Sequence, residues 1–262
     1  MELRIWVYRA AGMAKIFFIF AAAGFIAGYA AMAYFGAPPQ KVFATSMFSY
    51  NITVPVDEKI EKIVESKAIM IFMHNGVLAF LFMIPVFLAG SRRFKNLFYL
   101  HTIVRAEDTA GGKFDRLCVK AMGLTADTDK KLITLSFFLN TINWLSTGIL
   151  AFMLGAVCVS AAKLLTPFVA FVSIATHGII EIPAFWFAAA FPPTLFTVLK
   201  NLIEKDPAAD AFVTARNSVF TKSCFAAVAA VFVALSVAAY VEAEITPGVI
   251  KHFKAQSQNA AH

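Results

Sequence analysis

Residues 132–160 read LITLSFFLNTINWLSTGILAFMLGAVCVS and contain no charged side chain. A helix of about 20 apolar residues crosses the roughly 30 Å hydrocarbon core of a bilayer, so this stretch predicts a transmembrane helix. Four further stretches are long and mostly apolar, at residues 16–35, 68–89, 164–191 and 219–241. Inside hydrocarbon each backbone N–H and C=O must be paired, which favours helices. The sequence therefore predicts an all-α, polytopic transmembrane helix bundle with about five spans.

The overall composition agrees with a membrane protein. Hydrophobic residues make up 60% of the 262 residues and charged residues 15%. Soluble domains contain about 45–50% apolar and about 25% charged residues, so a soluble chain of this composition would lack polar surface. We expect a single transmembrane domain over residues 1–262, with the lipid bilayer as its surroundings. Residues 90–131 form its longest predicted connection, which is basic.

The distribution of Lys and Arg predicts the orientation. With the N-terminus in the cytoplasm, the cytoplasmic segments contain 16 Lys and Arg residues and the external segments contain seven. Basic residues concentrate in cytoplasmic loops of membrane proteins. We therefore expect a multi-pass protein of the cell (plasma) membrane with a cytoplasmic N-terminus, an uncleaved first span and an external C-terminus. The formal net charge of +7 then reflects topology, and no nucleic-acid partner is expected.

The fourth stretch contains two ionisable residues, His177 and Glu181, which lie four positions apart and so share one helix face. An ionisable residue in a span costs about 2.5–3.5 kcal/mol on insertion scales and needs a reason. Gly178 would permit close approach of another backbone. Pro183 would weaken or kink a helix, so we expect either one kinked helix or a re-entrant segment followed by a helix. Polar residues of neighbouring stretches extend the pair to a predicted intramembrane polar cluster of His177, Gly178, Glu181, His74, Asn75, Asn140 and Asn143.

Three interpretations of this cluster are open. In the first, the side chains hydrogen-bond across helices and fix the packing, which needs no metal and no cofactor. In the second, they form a path for protons or a small solute. In the third, His74, His177 and Glu181 bind a metal as two histidines and one carboxylate, although no HExxH motif occurs. Ser136 and Ser146 stand outside any nucleophile motif, and isolated serines in spans more often bond to their own backbone.

The segment HGIIEIPA at residues 177–184 resembles the HGxxE-x-x-A signature of the stage II sporulation protein M family. A proline usually precedes the histidine in that family, and Thr176 replaces it here. The resemblance extends more weakly over residues 10–245. It implies a multi-span membrane scaffold that acts in envelope remodelling beside separate cell-wall hydrolases. The basic connection at 90–131 is longer than the family pattern and suggests a cytoplasmic partner of its own.

The sequence therefore favours a non-enzymatic scaffold or subunit of a cell-envelope membrane assembly. Its expected partners are other membrane or envelope proteins, and the chain could in addition form a homodimer. The first alternative is a channel or transporter component that uses the His177–Glu181 pair. The second is an intramembrane metal-dependent hydrolase.

Overall fold

The computed structural model of the chain describes residues 3–46, 66–89, 130–205 and 221–259, together with 113, 116, 117, 120, 213, 214, 217 and 218; the side chains of 130–136, 138, 177 and 253–259 are excepted. These residues are helical and contain no strand. The helices are α1 (Leu3–Ala33), α2 (Pro39–Ser46), α3 (Lys67–Ala89), α4 (Lys130–Leu164), α5 (Pro167–Ala189), α6 (Phe191–Lys205), α7 (Lys222–Tyr240) and α8 (Thr246–Asn259), with a π-turn at Val241–Ile245 joining α7 to α8.

Five helical segments among the described residues are long and apolar enough to cross a membrane, which confirms the predicted all-α bundle of about five spans. They are Leu3–Ala33, Lys67–Leu88, Leu139–Leu164, Gly178–Lys205 and Lys222–His252. Large apolar side chains on these segments stay exposed, among them Phe18, Ile26 and Ile179. Such exposure is expected where lipid replaces water around the chain.

Two spans are longer than the sequence predicted. Helix α1 begins at Leu3, well before residue 16, because Trp6, Ala10 and Met13 follow one helical face and are all buried. The last span continues beyond residue 241 through the π-turn into α8. Most of the basic connection at 90–131 lies outside the described residues.

Hydroxyl side chains mark where several helices begin. The Ser66 Oγ lies 3.5 Å from the Ile69 nitrogen, the Thr166 Oγ1 3.3 Å from the Val169 nitrogen, and the Thr221 Oγ1 3.2 Å from the Cys224 nitrogen. Each occupies the N-cap position, where a side-chain oxygen accepts from a backbone N–H that the helix leaves unpaired. Pro167 then occupies the first helical position of α5, which proline favours because no N–H is needed there.

The fourth predicted span forms a helix without a break before His177. Helix α5 continues through Pro183 to Ala189, and the interruption comes at Ala190, just ahead of α6. Helix α6 is amphipathic: Leu195, Leu199 and Ile203 follow one buried face. The structure therefore gives a continuous α5 followed directly by α6.

The chain divides into two compact units, each formed from several segments. Unit 1 comprises Met1–Gly12, Ala79–Leu145 and Phe187–Ala229, and unit 2 comprises Met13–Leu78, Ser146–Trp186 and Ala230–His262.

In unit 1, Trp6 connects the start of α1 to the end of α5. Its Nε1–H donates to the Phe187 carbonyl at 2.9 Å. Its ring meets Phe187 and Phe191 edge to face, with centroids 4.9 Å and 5.0 Å away. Trp6 is only 5% exposed. The contact therefore buries its large apolar ring and also gives its single polar group, the Nε1–H, a hydrogen-bond partner.

In unit 2, glycines bring α1 and α4 into backbone contact. A Cβ added at Gly24 would overlap the Phe152 carbonyl oxygen, and one added at Gly155 would overlap the Ala21 carbonyl oxygen. One turn after Gly24, a Cβ at Gly28 would lie 2.8 Å from the Val159 Cγ1. Membrane helices approach each other closely where small residues lie at their crossing. Such close packing matters because lipid gives no hydrophobic drive for helix association.

Candidate functional site

Thr176 precedes the family-like segment, residues 177–184, and connects α5 to the start of α8. Its hydroxyl lies 2.9 Å from the Thr246 hydroxyl. The Thr246 hydroxyl also donates to the Val241 carbonyl at 3.1 Å. The Thr176 hydroxyl likewise lies 3.4 Å from the Ser173 carbonyl of its own helix. Each hydroxyl has one hydrogen, so either residue can be the donor in the bond between them. The result is an interhelical hydrogen bond in unit 2 that joins α5 to the π-turn.

The π-turn at Val241–Ile245 has a local cause. Pro247 has no N–H, and in a regular α-helix its ring would crowd the carbonyl four residues earlier, that of Ala243. The chain instead makes a wider turn, in which the Thr246 N–H bonds to the Val241 carbonyl five residues back. Single π-turns inside α-helices occur often at functional sites.

Two carboxylates lie near this junction. Glu181 of α5 interacts electrostatically with Glu242 of the π-turn, and both side chains are partly buried. Thr176 and Glu181 on α5 thus face Thr246 and Glu242 in antiparallel order. We define these four residues, Thr176, Glu181, Glu242 and Thr246, as the α5–π junction. Two nearby carboxylates disfavour each other when both are ionised, so this arrangement needs a functional or energetic reason.

The predicted cluster is divided between the two units. His74, Asn75, Gly178 and Glu181 belong to unit 2, while Asn140 and Asn143 belong to unit 1. Asn75 is 6% exposed. The side chain of His177 lies outside the described residues, so its pairing with Glu181 stays a prediction.

The two asparagines of α4 are both buried in unit 1. The Asn143 Nδ2 donates to the Ala189 carbonyl at 2.6 Å. Asn140 is 3% exposed, and its Oδ1 has no hydrogen-bond partner among the described residues. Asn143 therefore joins α4 to the end of α5 through the backbone, at the last residue before the α5–α6 interruption.

Among the described residues, Gly178 brings no other backbone close, contrary to the prediction. A Cβ there would meet only side chains of α5 itself, those of Ile182 at 3.3 Å and Ile174 at 3.9 Å. The close backbone approach lies at Gly24 and Gly155 instead. The Gly24-xxx-Gly28 spacing was a signal in the sequence, since small residues four apart favour a helix interface.

The α5–π junction contains two residues that the sequence analysis missed, Glu242 and Thr246. They follow the predicted fifth span and were assigned to the external tail. Pro247 was the available signal, because a proline just after an apolar stretch marks disturbed helix geometry.

Among the described residues, no group of three or more His, Cys, Asp or Glu side chains is placed to hold a metal ion. The predicted metal set included His177, whose side chain is not described, so that alternative is untested.

A comparison with protein families identifies the region that contains this junction. Residues 122–247 match the family model described as Stage II sporulation protein M. Just under half of the chain is therefore similar to the stage II sporulation protein M family. The match begins before α4 and ends at Pro247, so it includes all four residues of the α5–π junction. It confirms the resemblance for this region and leaves residues 10–121 uncovered. No curated protein and no solved structure matches the chain.

Proposed function

We propose that this chain, which is similar in part to the stage II sporulation protein M family, is a non-enzymatic scaffold, or a subunit, of a membrane assembly in the cell envelope. The observation that supports this most directly is the hydrogen bond between Thr176 and Thr246. In this bond, polar atoms beside the family-like segment join two helices. The first interpretation of the polar cluster, in which side chains bond across helices and fix the packing, requires such a bond.

Further contacts in each unit have the same character. Asn143 bonds to a backbone carbonyl of α5. Ser160 bonds to a carbonyl of its own helix, and Thr194 bonds to the Ala190 carbonyl just before α6. Each of these buried polar groups is paired. Defined packing within each unit suits a protein whose role is to hold partners.

The proposed orientation has a cytoplasmic N-terminus and an external C-terminus. It is supported by the excess of Lys and Arg in the segments assigned to the cytoplasm. Single cysteines introduced at Tyr34 and at Lys205, the exposed last residue of α6, test it with a membrane-impermeant maleimide on intact cells. We expect labelling at residue 34 and protection at residue 205, and the reverse pattern would overturn the orientation.

Co-purification from native membrane tests the scaffold proposal. The tagged chain is extracted into polymer nanodiscs without detergent, and associated proteins are quantified by mass spectrometry. We expect at least one membrane or envelope protein at a stoichiometric level. If the chain repeatedly elutes alone, or only as copies of itself, from cells that express it at native level, the proposal fails.

Two variants test whether the α5–π junction contributes to partner binding. Thr176→Val removes the interhelical bond while keeping the side-chain shape, and we expect less partner to be recovered per folded chain. Thr141→Val is the matched control, because the Thr141 hydroxyl bonds only along its own helix, to the Phe137 carbonyl at 3.0 Å.

A second candidate function, a proton path, is favoured by one observation. Glu181 and Glu242 approach each other from two helices of unit 2, and ionisable residues inside spans often serve proton relays. Proteoliposomes loaded with a pH-sensitive dye test it. Glu242→Gln should abolish proton flux, whereas Glu244→Gln, at an exposed position of the same π-turn, should not. Absence of any flux in the wild type would remove this candidate.

A further inference from the structure

A long apolar groove runs along one face of α5 in unit 2. Its α5 wall follows helical spacing from Pro167 through Ile174 and Gly178 to Trp186, and its other walls come from α1 and α4. The lining contains no charged side chain. Phe171 and Ile179 form an exposed rim, at 68% and 73% exposure. All three helices belong to spans or lie beside them, so hydrocarbon surrounds the groove.

The dimensions of the groove fit a linear chain. Its volume is about 650 Å³, and the helix from Pro167 to Trp186 is about 28 Å long at 1.5 Å per residue. The mean cross-section is therefore about 23 Å². A hydrocarbon chain whose carbon atoms pack about 4 Å from their neighbours needs about 16 Å². An α-helix at least 10 Å wide needs about 80 Å².

A positive charge stands at one end of the groove. Lys163 follows the lining residue Ala162 and is exposed. Its Nζ lies 6.0 Å from the centre of the Tyr29 ring, one turn beyond the lining residue Phe25. Lys and Tyr favour the headgroup region of a bilayer, where the amine reaches water and the apolar stem stays in lipid. The N-terminus of α5, at Pro167, adds its positive end at the same level.

We propose that this groove binds an anionic phospholipid, with the phosphate at Lys163 and an acyl chain along α5. The lipid's hydrocarbon fills the half of the groove between Phe25, Cys158 and Ile174, because one leaflet accounts for about half of the roughly 30 Å core. The charge at Lys163 supplies the preference for a negative headgroup, and the uncharged lining accepts the chain. This lipid site does not depend on the scaffold proposal. The co-purification experiment does not test the lipid site, and the lipid-binding experiments do not test the scaffold.

Native mass spectrometry of the purified chain tests the headgroup. The chain is incubated with phosphatidylglycerol or phosphatidylcholine of identical acyl composition. We expect phosphatidylglycerol to bind more tightly, and Lys163→Gln to weaken it about fivefold, the effect of one basic residue at a charged membrane surface. Lys251→Gln, at another exposed lysine of unit 2, should bind as the wild type does. Equal binding of the two lipids by the wild type, or an unchanged preference in Lys163→Gln, overturns the proposal.

A second variant tests the acyl chain. Ala162→Phe fills the groove and should reduce binding of both lipids, while Ala230→Phe adds the same bulk at an exposed position outside it. If Ala162→Phe fails to fold, Cys158 provides the readout in a Cys118→Ala/Cys224→Ala background. Phosphatidylglycerol should slow its reaction with a lipophilic maleimide. Unchanged lipid binding in folded Ala162→Phe, unchanged reactivity of Cys158, or protection of Cys158 by a second copy of the chain without lipid would each overturn the proposal.

Discussion

Replacing Gly155 by alanine should push α1 and α4 apart. The new methyl group would overlap the Ala21 carbonyl oxygen, and its next neighbour is the Phe25 backbone nitrogen. Backbone atoms cannot rotate away as a side chain can, so the helices themselves must move. Gly155→Ala therefore tests whether the crossing of α1 and α4 is set by contact between backbones.

The magnitude follows from two opposed effects. Alanine is favoured over glycine inside a helix by about 1 kcal/mol. Overpacking a well-packed contact costs about 1–3 kcal/mol, and rigid backbone overlap lies at the upper end. We expect Gly155→Ala to lower the free energy of unfolding by about 2 kcal/mol. Gly12→Ala is the control, because nothing lies within 4 Å of its added Cβ, and it should raise that free energy by up to about 1 kcal/mol.

The assay is equilibrium unfolding in mixed micelles, followed by circular dichroism. Gly28→Ala should fall between the two variants, since its first contact is the movable Val159 side chain. An unfolding free energy for Gly155→Ala equal to or above that of Gly12→Ala would refute the close backbone approach.

Five further substitutions test three contacts, by the same unfolding assay or, for Glu181, by the yield of folded protein. Thr246→Val and Thr176→Val should each lower the free energy of unfolding by about 0.6 kcal/mol, because both remove the same interhelical hydrogen bond; wild-type stability of both variants would contradict that bond. Asn143→Ala should cost about 1–3 kcal/mol by leaving the buried Ala189 carbonyl unpaired, and a loss below about 0.5 kcal/mol would argue against that bond. Glu181→Ala should lower the yield of folded protein, while Glu181→Gln should retain it. Glutamine keeps the side-chain volume and removes the repulsion with Glu242. Normal stability of the alanine variant would contradict the structural interpretation of the polar cluster.

The number of spans could be predicted because length and apolarity alone decide it. The stretch at 132–160 is long and uncharged, and no soluble arrangement hides that much apolar surface. The ends of the spans could not be predicted equally well. Trp6 and Met13 extend α1 because other parts of the chain bury them, and a hydropathy pattern does not contain that information.

The site was predicted only in part, for a related reason. The His177–Glu181 spacing directed attention to α5, which does contribute Thr176 and Glu181 to the α5–π junction. The opposing residues lie about 60 positions further along the chain, and a single sequence holds no sign of which distant segment packs there. The prediction that another backbone approaches Gly178 failed because the sequence shows only that this residue has no side chain. Which atoms lie beside it is decided by the fold.

The π-turn also bears on how the last span can change over evolutionary time. A π-turn is equivalent to one residue inserted into an α-helix, and each residue turns a helix by about 100°. Phe232, before the turn, meets Phe72 at 6.4 Å between ring centres, whereas Thr246, after it, meets Thr176. Loss of one residue within Val241–Ile245 would keep the first contact and rotate the second away from α5. Insertions and deletions should therefore be tolerated far less in these five residues than in the helical stretch that follows them.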